Sequence, residues 1–123
     1  MGKTILIVED EPKNMKLTRD LLKISGYETI EAVDGKQGVE KAKSAKPDLI
    51  LMDIMMPKMD GYAACSEIKA DQTTKHIPVV MLTAVGFELN KKLAKQMGAN
   101  GYVTKPFNRQ QLIDAITPLL ATS

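Results

Sequence analysis

The sequence is poor in several features that would define a class of protein. Its single cysteine, Cys65, excludes a disulfide framework within the chain and is typical of proteins in a reducing compartment. No apolar run approaches the ~20 residues that a membrane-spanning helix needs. The first residues, Met1-Gly2-Lys3-Thr4, lead into the strand-like ILIV where a signal peptide would have its apolar core. We therefore expect a cytoplasmic protein that does not enter a membrane.

No charge of one sign prevails. The chain has 17 basic and 15 acidic residues, a net charge of +2, and the basic residues are spread along it. Surfaces that bind nucleic acid are strongly basic, so nucleic acid is not an expected partner. The sequence also lacks GxGxxG and GxxxxGK[ST] motifs, which disfavours a nucleotide- or flavin-binding module.

The length and the pattern of the chain indicate a single domain. Its 123 residues suffice for one hydrophobic core, and no repeat, low-complexity tract or linker divides them. We expect residues 1–123 to form one unit.

Short apolar runs alternate with helical patterns. Three of the runs are typical of strands buried on both faces, and YETIEA looks nearer an edge. The predicted strands are residues 5–8, 27–32, 49–52, 77–82 and 101–104. The predicted helices are residues 12–24, 35–45, 62–70, 87–97 and from 108 almost to the end of the chain. Asn108 suits an N-cap, and we expect Pro118 to kink or end the last helix.

The alternation of strand and helix predicts an α/β fold. Right-handed crossovers and short connections favour a doubly wound parallel sheet with helices on both faces. In such sheets ligands bind beyond the carboxyl ends of the strands, so that edge is where a functional site is expected.

Polar residues follow the strands at this edge: Glu9 and Asp10, Asp53, Thr83, and Lys105. Carboxylates that converge on one crevice repel each other unless positive charge intervenes. Oxygen ligands without cysteine or histidine favour Mg²⁺, which Asp10 would hold. For Asp10 taken alone, capping of the next helix is the alternative.

A cation, a lysine, a hydroxyl and a spare carboxylate are the components of phosphoryl transfer. Asp53 is the best candidate nucleophile because carboxylates form acyl phosphates, with Lys105 and Thr83 beside it. An aspartyl-phosphate phosphatase is an alternative. Such enzymes use Asp-x-Asp after the first strand, whereas Pro12 occupies the third position of that motif here.

Four motifs, ILIVEDEP, DLILMDIMMPKMDG, IPVVMLTA and GYVTKPF, resemble the receiver domain of two-component response regulators, the CheY-like superfamily. The resemblance covers essentially the whole chain. It implies a (βα)5 sandwich whose five-stranded sheet has the order 2-1-3-4-5. It also implies phosphorylation by a sensor histidine kinase or a histidine phosphotransfer protein with Mg²⁺, which would switch a protein-binding surface. A receiver cut from a longer response regulator or hybrid kinase remains an alternative.

The resemblance assigns the residues around the phosphorylation site. Asp53 resembles the phosphoacceptor. Asp10 resembles a direct metal ligand, Glu9 a ligand through water, and Met55 a ligand through its backbone carbonyl. This set implies one Mg²⁺ beside the acceptor.

The resemblance also assigns a switch and an output surface. Thr83 resembles the switch hydroxyl, Tyr102 the aromatic that turns inward with it, and Lys105 the lysine of the site. The bond from Lys105 to Pro106 is expected to be cis, as in relatives. A downstream protein would bind near the fourth predicted helix, the fifth strand and the fifth helix, and the chain would be a monomer or a weak dimer.

The sequence also allows predictions for four further residues. Met55 and Val85 stand at positions that influence dephosphorylation in the family, and neither orients a water by hydrogen bonding, so slow self-dephosphorylation is expected. His76 is read as a surface residue before a strand rather than a phosphorelay histidine. Cys65 is read as a small core residue rather than a reactive thiol.

Overall fold

The computed structural model describes residues 2–54, 60–84, 95–96 and 98–121. The elements are β1 (Thr4–Val8), α1 (Pro12–Ile24), β2 (Glu28–Ala32), α2 (Gly35–Ala45), β3 (Leu49–Asp53), α3 (Gly61–Ala70), β4 (Val79–Ala84), β5 (Gly101–Lys105) and α4 (Arg109–Ala121). Strands and helices alternate as expected from β1 to β4 and again from β5 to the last helix. Within the described ranges, no helix is both long and apolar enough to cross a bilayer.

The strands form one sheet in the order β2-β1-β3-β4-β5, and all four pairings are parallel. The doubly wound fold and the 2-1-3-4-5 order are thereby confirmed. The strand order reverses at β1, so the carboxyl ends of β1 and β3 flank the crevice at which such sheets bind ligands.

The side chains of the central strands alternate between two cores, one on each face of the sheet. Towards α2 and α3 lie Leu6, Val8, Ile50, Met52, Val79 and Met81. Towards α1 and α4 lie Ile5, Ile7, Leu49, Leu51, Val80 and Leu82. These strands are buried on both faces, as predicted, whereas β2 is an edge strand in which only Ala32 is fully buried. Cys65 is completely buried in the first core, and His76 is exposed, as predicted.

Each described helix begins directly after an acidic or amide residue. A side-chain oxygen of Glu11, Asp34, Asp60 and Asn108 accepts a backbone N–H two or three residues further on, at 2.8–3.1 Å. Such N-caps satisfy amides that the helix leaves without a partner and stabilise it by about 1 kcal/mol each. The predicted N-cap at Asn108 is confirmed.

Two details of the predicted elements differ from the structure. The fourth strand spans Val79–Ala84 where residues 77–82 were predicted, and it does not begin earlier because Pro78 has no N–H to give to the sheet. Pro118 does not end the last helix, which continues to Ala121, while a kink at this proline stays a prediction. This proline stands in the last turn, where its missing N–H costs a single intrahelical bond. The predicted helix over residues 87–97 lies outside the described residues apart from residues 95–96, which are helical.

Candidate functional site

The site is built where β1 and β3 end. Asp53 is the last residue of β3, and Glu9 and Asp10 directly follow β1. One carboxylate oxygen from each of these three residues lies within 4.8 Å of the other two. Glu9 and Asp53 are buried, whereas Asp10 is exposed. The acidic cluster is thus open to solvent on the side of Asp10.

Lys105, the last residue of β5, brings positive charge to the acidic cluster. Its Nζ lies 2.5 Å from Glu9 Oε1 and 3.5 Å from Asp53 Oδ2. The lysine side chain is 17% exposed, so solvent screens these pairs less than it screens a surface ion pair. The peptide bond from Lys105 to Pro106 is cis, as predicted.

Burial dominates the electrostatics of Glu9. Burial, a hydrogen bond with Asp53 and the negative charge of that residue together raise the pKa of Glu9 to about 7, while Lys105 acts in the opposite direction. Two carboxylates this close resist being ionised together. Additional positive charge near the pair would favour its ionised form.

The residue that caps α1 determines whether the carboxylate of Asp10 is available at the acidic cluster. The N-cap of α1 is Glu11, whose Oε1 accepts the backbone N–H of Lys13 at 3.1 Å. Helix capping was the alternative role for Asp10, and Glu11 takes that role. The carboxylate of Asp10 remains at the acidic cluster.

The chemistry of the donors suits a hard divalent cation. The three carboxylates offer oxygen only, and they are the one cluster of potential ligands found among the described residues. A small, hard cation such as Mg²⁺ prefers oxygen ligands and keeps several positions for water or phosphate oxygens. Glu9, Asp10 and Asp53 therefore could hold such an ion and leave room for a phosphoryl group.

The other predicted site residues are placed less completely. Thr83 lies in β4 and pairs with Thr104 of β5, but its side chain falls outside the described part of the structure. Met55 and Val85 also fall outside it. Tyr102 of β5 is 46% exposed.

Gly61 is a residue whose role the sequence analysis missed. A Cβ at this position would lie 2.4 Å from the backbone oxygen of Asp53 and 2.8 Å from Cα of Ile54. The Gly61 N–H donates to the Ile54 carbonyl at 2.9 Å. The start of α3 thus packs directly on the backbone that carries Asp53, and only glycine allows that approach.

A groove of about 340 Å³ extends the site along α1 and was also not anticipated. Glu9 and Asp10 line one part of it, and Arg19 and Glu31 line another. The Arg19 Nη1 and Glu31 Oε2 form an ion pair at 3.0 Å. Nothing in the sequence pairs these two residues, because they come from different elements.

Comparisons with known proteins agree on the family. The family model described as response regulator receiver domain matches residues 5–117. The polar-differentiation response regulator DivK of Brucella anthropi is 39% identical over 120 residues, which cover 98% of each chain.

Solved structures give the same result. A putative response regulator from Chloroflexus aurantiacus superposes with a TM-score of 0.93 at 32% identity, covering 98% of this chain and 99% of that one. The receiver domain of the sensor histidine kinase PA1611 from Pseudomonas aeruginosa, crystallised with a magnesium ion in its active-site cleft, superposes with a TM-score of 0.90 at 35% identity, covering 98% and 99%. With its motifs, its strand order and these matches in agreement, the chain belongs to the receiver domain family of two-component response regulators.

Proposed function

We propose that the chain is a phosphorylation-dependent signalling switch in which Asp53 accepts a phosphoryl group from a histidine of a sensor kinase or a phosphotransfer protein. One observation carries the proposal. The buried carboxylate of Asp53 lies beside two further carboxylates and 3.5 Å from the Lys105 ammonium. A rigid strand end holds this nucleophile next to groups that neutralise phosphoryl oxygens.

The proposed reaction is a direct transfer. An Asp53 oxygen forms a bond to phosphorus while the P–N bond of the phosphohistidine breaks, and the imidazole leaves with the electron pair and takes up a proton. Lys105 lies close enough to pair with a phosphoryl oxygen, which lowers the cost of charge that develops there. The product is an acyl phosphate on Asp53, and the chain would remove that group slowly by itself.

Mg²⁺ is the proposed cofactor. Asp10 and Asp53 would bind it directly and Glu9 through water, with the backbone carbonyl of Met55, outside the described residues, as a further ligand. The magnesium ion in the PA1611 receiver and the oxygen-only donor set of this chain support the assignment. A bound Mg²⁺ neutralises negative charge on the acyl phosphate oxygens.

The proposed switch connects Asp53 to a distant surface. The Thr83 hydroxyl would move onto the phosphoryl group, and Tyr102, now 46% exposed, would turn inward. An open groove of about 360 Å³ between β5 and α4 is lined by Tyr102 and Gln111 among others, and it would change shape with that turn. A downstream protein at residues 87–97, β5 and α4 would then sense the state of Asp53 if its affinities for the two states differ by about 1–3 kcal/mol.

Acetyl phosphate, a small phosphodonor, tests the assignment of Asp53. With Mg²⁺, intact-mass spectrometry should show one added phosphoryl group on the wild-type protein and none on Asp53→Asn or after chelation of the metal. Asp20→Asn is the matched control, because Asp20 is a partly exposed carboxylate on α1 paired with Lys16. An equal mass increase in Asp53→Asn, or none in the wild type with either acetyl phosphate or a purified phosphohistidine donor, would overturn the proposal.

A further inference from the structure

Asn100 is followed by Gly101, and no other asparagine of the chain precedes a glycine. An asparagine before glycine can lose its side-chain amide without an enzyme, through attack of the glycine nitrogen on the side-chain carbonyl carbon. Glycine favours this step because it has no Cβ to obstruct the approach and few limits on its backbone angles. Asn100 is exposed, so water reaches the reacting atoms. The dipeptide is therefore a candidate site of spontaneous deamidation.

The fold directs the two reacting groups of this dipeptide to opposite sides. The Oδ1 of Asn100 accepts the Val79 N–H at 2.9 Å, and the Asn100 N–H donates to the Val79 carbonyl at 2.7 Å. Both groups of Asn100 therefore face β4. Successive N–H groups along a strand point to opposite sides, so the Gly101 N–H points away from β4, towards the outer edge of the sheet. The Asn100 side chain must leave Val79 before its carbonyl carbon meets the Gly101 nitrogen.

We propose that Asn100-Gly101 is a latent deamidation site, which reacts when the β4–β5 junction, the paired residues Val79 and Asn100, opens locally. The Gly101 nitrogen forms a bond to Asn100 Cγ and gives its proton to water or hydroxide, while the Cγ–Nδ2 bond breaks and ammonia leaves. Water then opens the cyclic imide at either of its carbonyl carbons. The products are an aspartyl and an isoaspartyl residue.

The two products differ in what they leave at the junction. An aspartyl residue keeps a side-chain oxygen that accepts the Val79 N–H. An isoaspartyl residue carries the main chain through Cγ, which lengthens the backbone at the entry to β5 and moves the free carboxylate to Cα. Only the second product removes the original acceptor from Val79 and changes the chain that leads into β5.

Peptide mapping by mass spectrometry measures the conversion of Asn100 over time in a mildly alkaline buffer. Folded wild-type protein should react at least about tenfold more slowly than the chain unfolded in guanidinium chloride, because only the opened population reacts. Gly101→Ala is the matched control: its Cβ meets nothing closer than 4.0 Å in the fold, but it should slow the unfolded chain by about tenfold. Equal rates for folded and unfolded wild type, or for the two unfolded chains, would overturn the proposal.

Gly98→Ala and Gly26→Ala test whether the junction opens locally. Both glycines have a positive φ, +94° and +93°, so alanine strains the backbone at either position. Gly98 lies shortly before Asn100, whereas Gly26 lies between α1 and β2. In the folded protein Gly98→Ala should speed the reaction by about fivefold or more, and Gly26→Ala should stay within about twofold of wild type. No acceleration in Gly98→Ala, or equal acceleration in both variants, would overturn the role of the junction.

Lys69→Met loosens the same region by a second route if Gly98→Ala fails to fold. Lys69 Nζ donates to the Ile77 carbonyl at 2.7 Å and so ties α3 to the residues before β4. Lys16→Met is its control, because Lys16 pairs with Asp20 on the surface of α1. Folded Lys69→Met should deamidate faster than folded Lys16→Met, and equal rates would again overturn the local route. These measurements use no metal or phosphodonor, so they are independent of the function proposed above.

Discussion

Asn100 and Val79 are joined by two hydrogen bonds. The side-chain Oδ1 of Asn100 accepts the Val79 N–H at 2.9 Å, and the Asn100 N–H donates to the Val79 carbonyl at 2.7 Å. Val79 opens β4, and Asn100 directly precedes β5. The asparagine side chain thereby acts as an extra backbone group that ties the start of β4 to the segment leading into β5.

Replacement of Asn100 by alanine should lower the free energy of unfolding by about 1–3 kcal/mol, because the N–H of a fully buried residue would lose its acceptor. Urea denaturation followed by circular dichroism measures the change. Asn100→Asp keeps an acceptor oxygen and should lose clearly less. Equal losses in the two variants would show that the acceptor is not what matters.

Gly61→Ala should disturb the site as well as the fold. The added methyl group would lie 2.4 Å from the Asp53 carbonyl oxygen, so either α3 or the end of β3 must move. We expect a loss of about 1–3 kcal/mol in the free energy of unfolding, together with weaker Mg²⁺ binding by calorimetry. Gly101→Ala is the control, since a Cβ there meets nothing closer than 4.0 Å. Unchanged metal affinity in Gly61→Ala would contradict this account.

Cys65 should make stability depend on alkaline pH. Burial raises the pKa of the Cys65 thiol from 9.0 to about 11 in the folded protein, so the unfolded chain releases this proton at lower pH. Below pH 9 this thiol therefore leaves the free energy of unfolding unchanged. Between about pH 9 and 11 the free energy of unfolding falls by up to about 1.4 kcal/mol per pH unit. In Cys65→Ala the decline should be shallower, since only groups shared by both proteins then titrate. Parallel stability curves for the two proteins would exclude the effect.

The phosphoryl group on Asp53 should persist for minutes or longer after the donor is removed. Met55 and Val85, both outside the described residues, offer no hydrogen bond that would orient an attacking water. Timed intact-mass measurements in Mg²⁺ give the rate, and Met55→Asn, which adds an amide, should lose the group faster. A lifetime of seconds in the wild-type protein would refute the prediction.

The fold was predictable because the hydrophobic pattern is local and strong. The strand boundaries agree with the structure within one residue except at the two ends of β4, each of which lies two residues further along the chain than predicted. At its start the apolar character of Ile77 extends the pattern backwards, while Pro78 has no N–H to give to a sheet. At Pro118 the sequence indicates a helix breaker, but the helix continues past it. The free-energy cost of a proline in a helix depends on how many turns follow it, which the sequence pattern does not show.

The residues that form the site could be predicted from the sequence, but the contacts between their side chains could not. Strand ends place Glu9, Asp53 and Lys105 at one edge of the sheet, and parallel topology brings them together. Which carboxylate the lysine contacts depends on side-chain geometry between residues 96 positions apart, and no sequence pattern records it. Likewise, only the structure shows that Glu11 and not Asp10 caps α1.

The side chains of the three successive acidic residues between β1 and α1 have three different roles. Glu9 reaches Lys105, Asp10 stays exposed at the acidic cluster, and Glu11 caps the helix. Insertion or deletion of one residue in this tripeptide would shift each carboxylate into its neighbour's place and misdirect all three. The junction should therefore tolerate a change of side chain far better than a change of length.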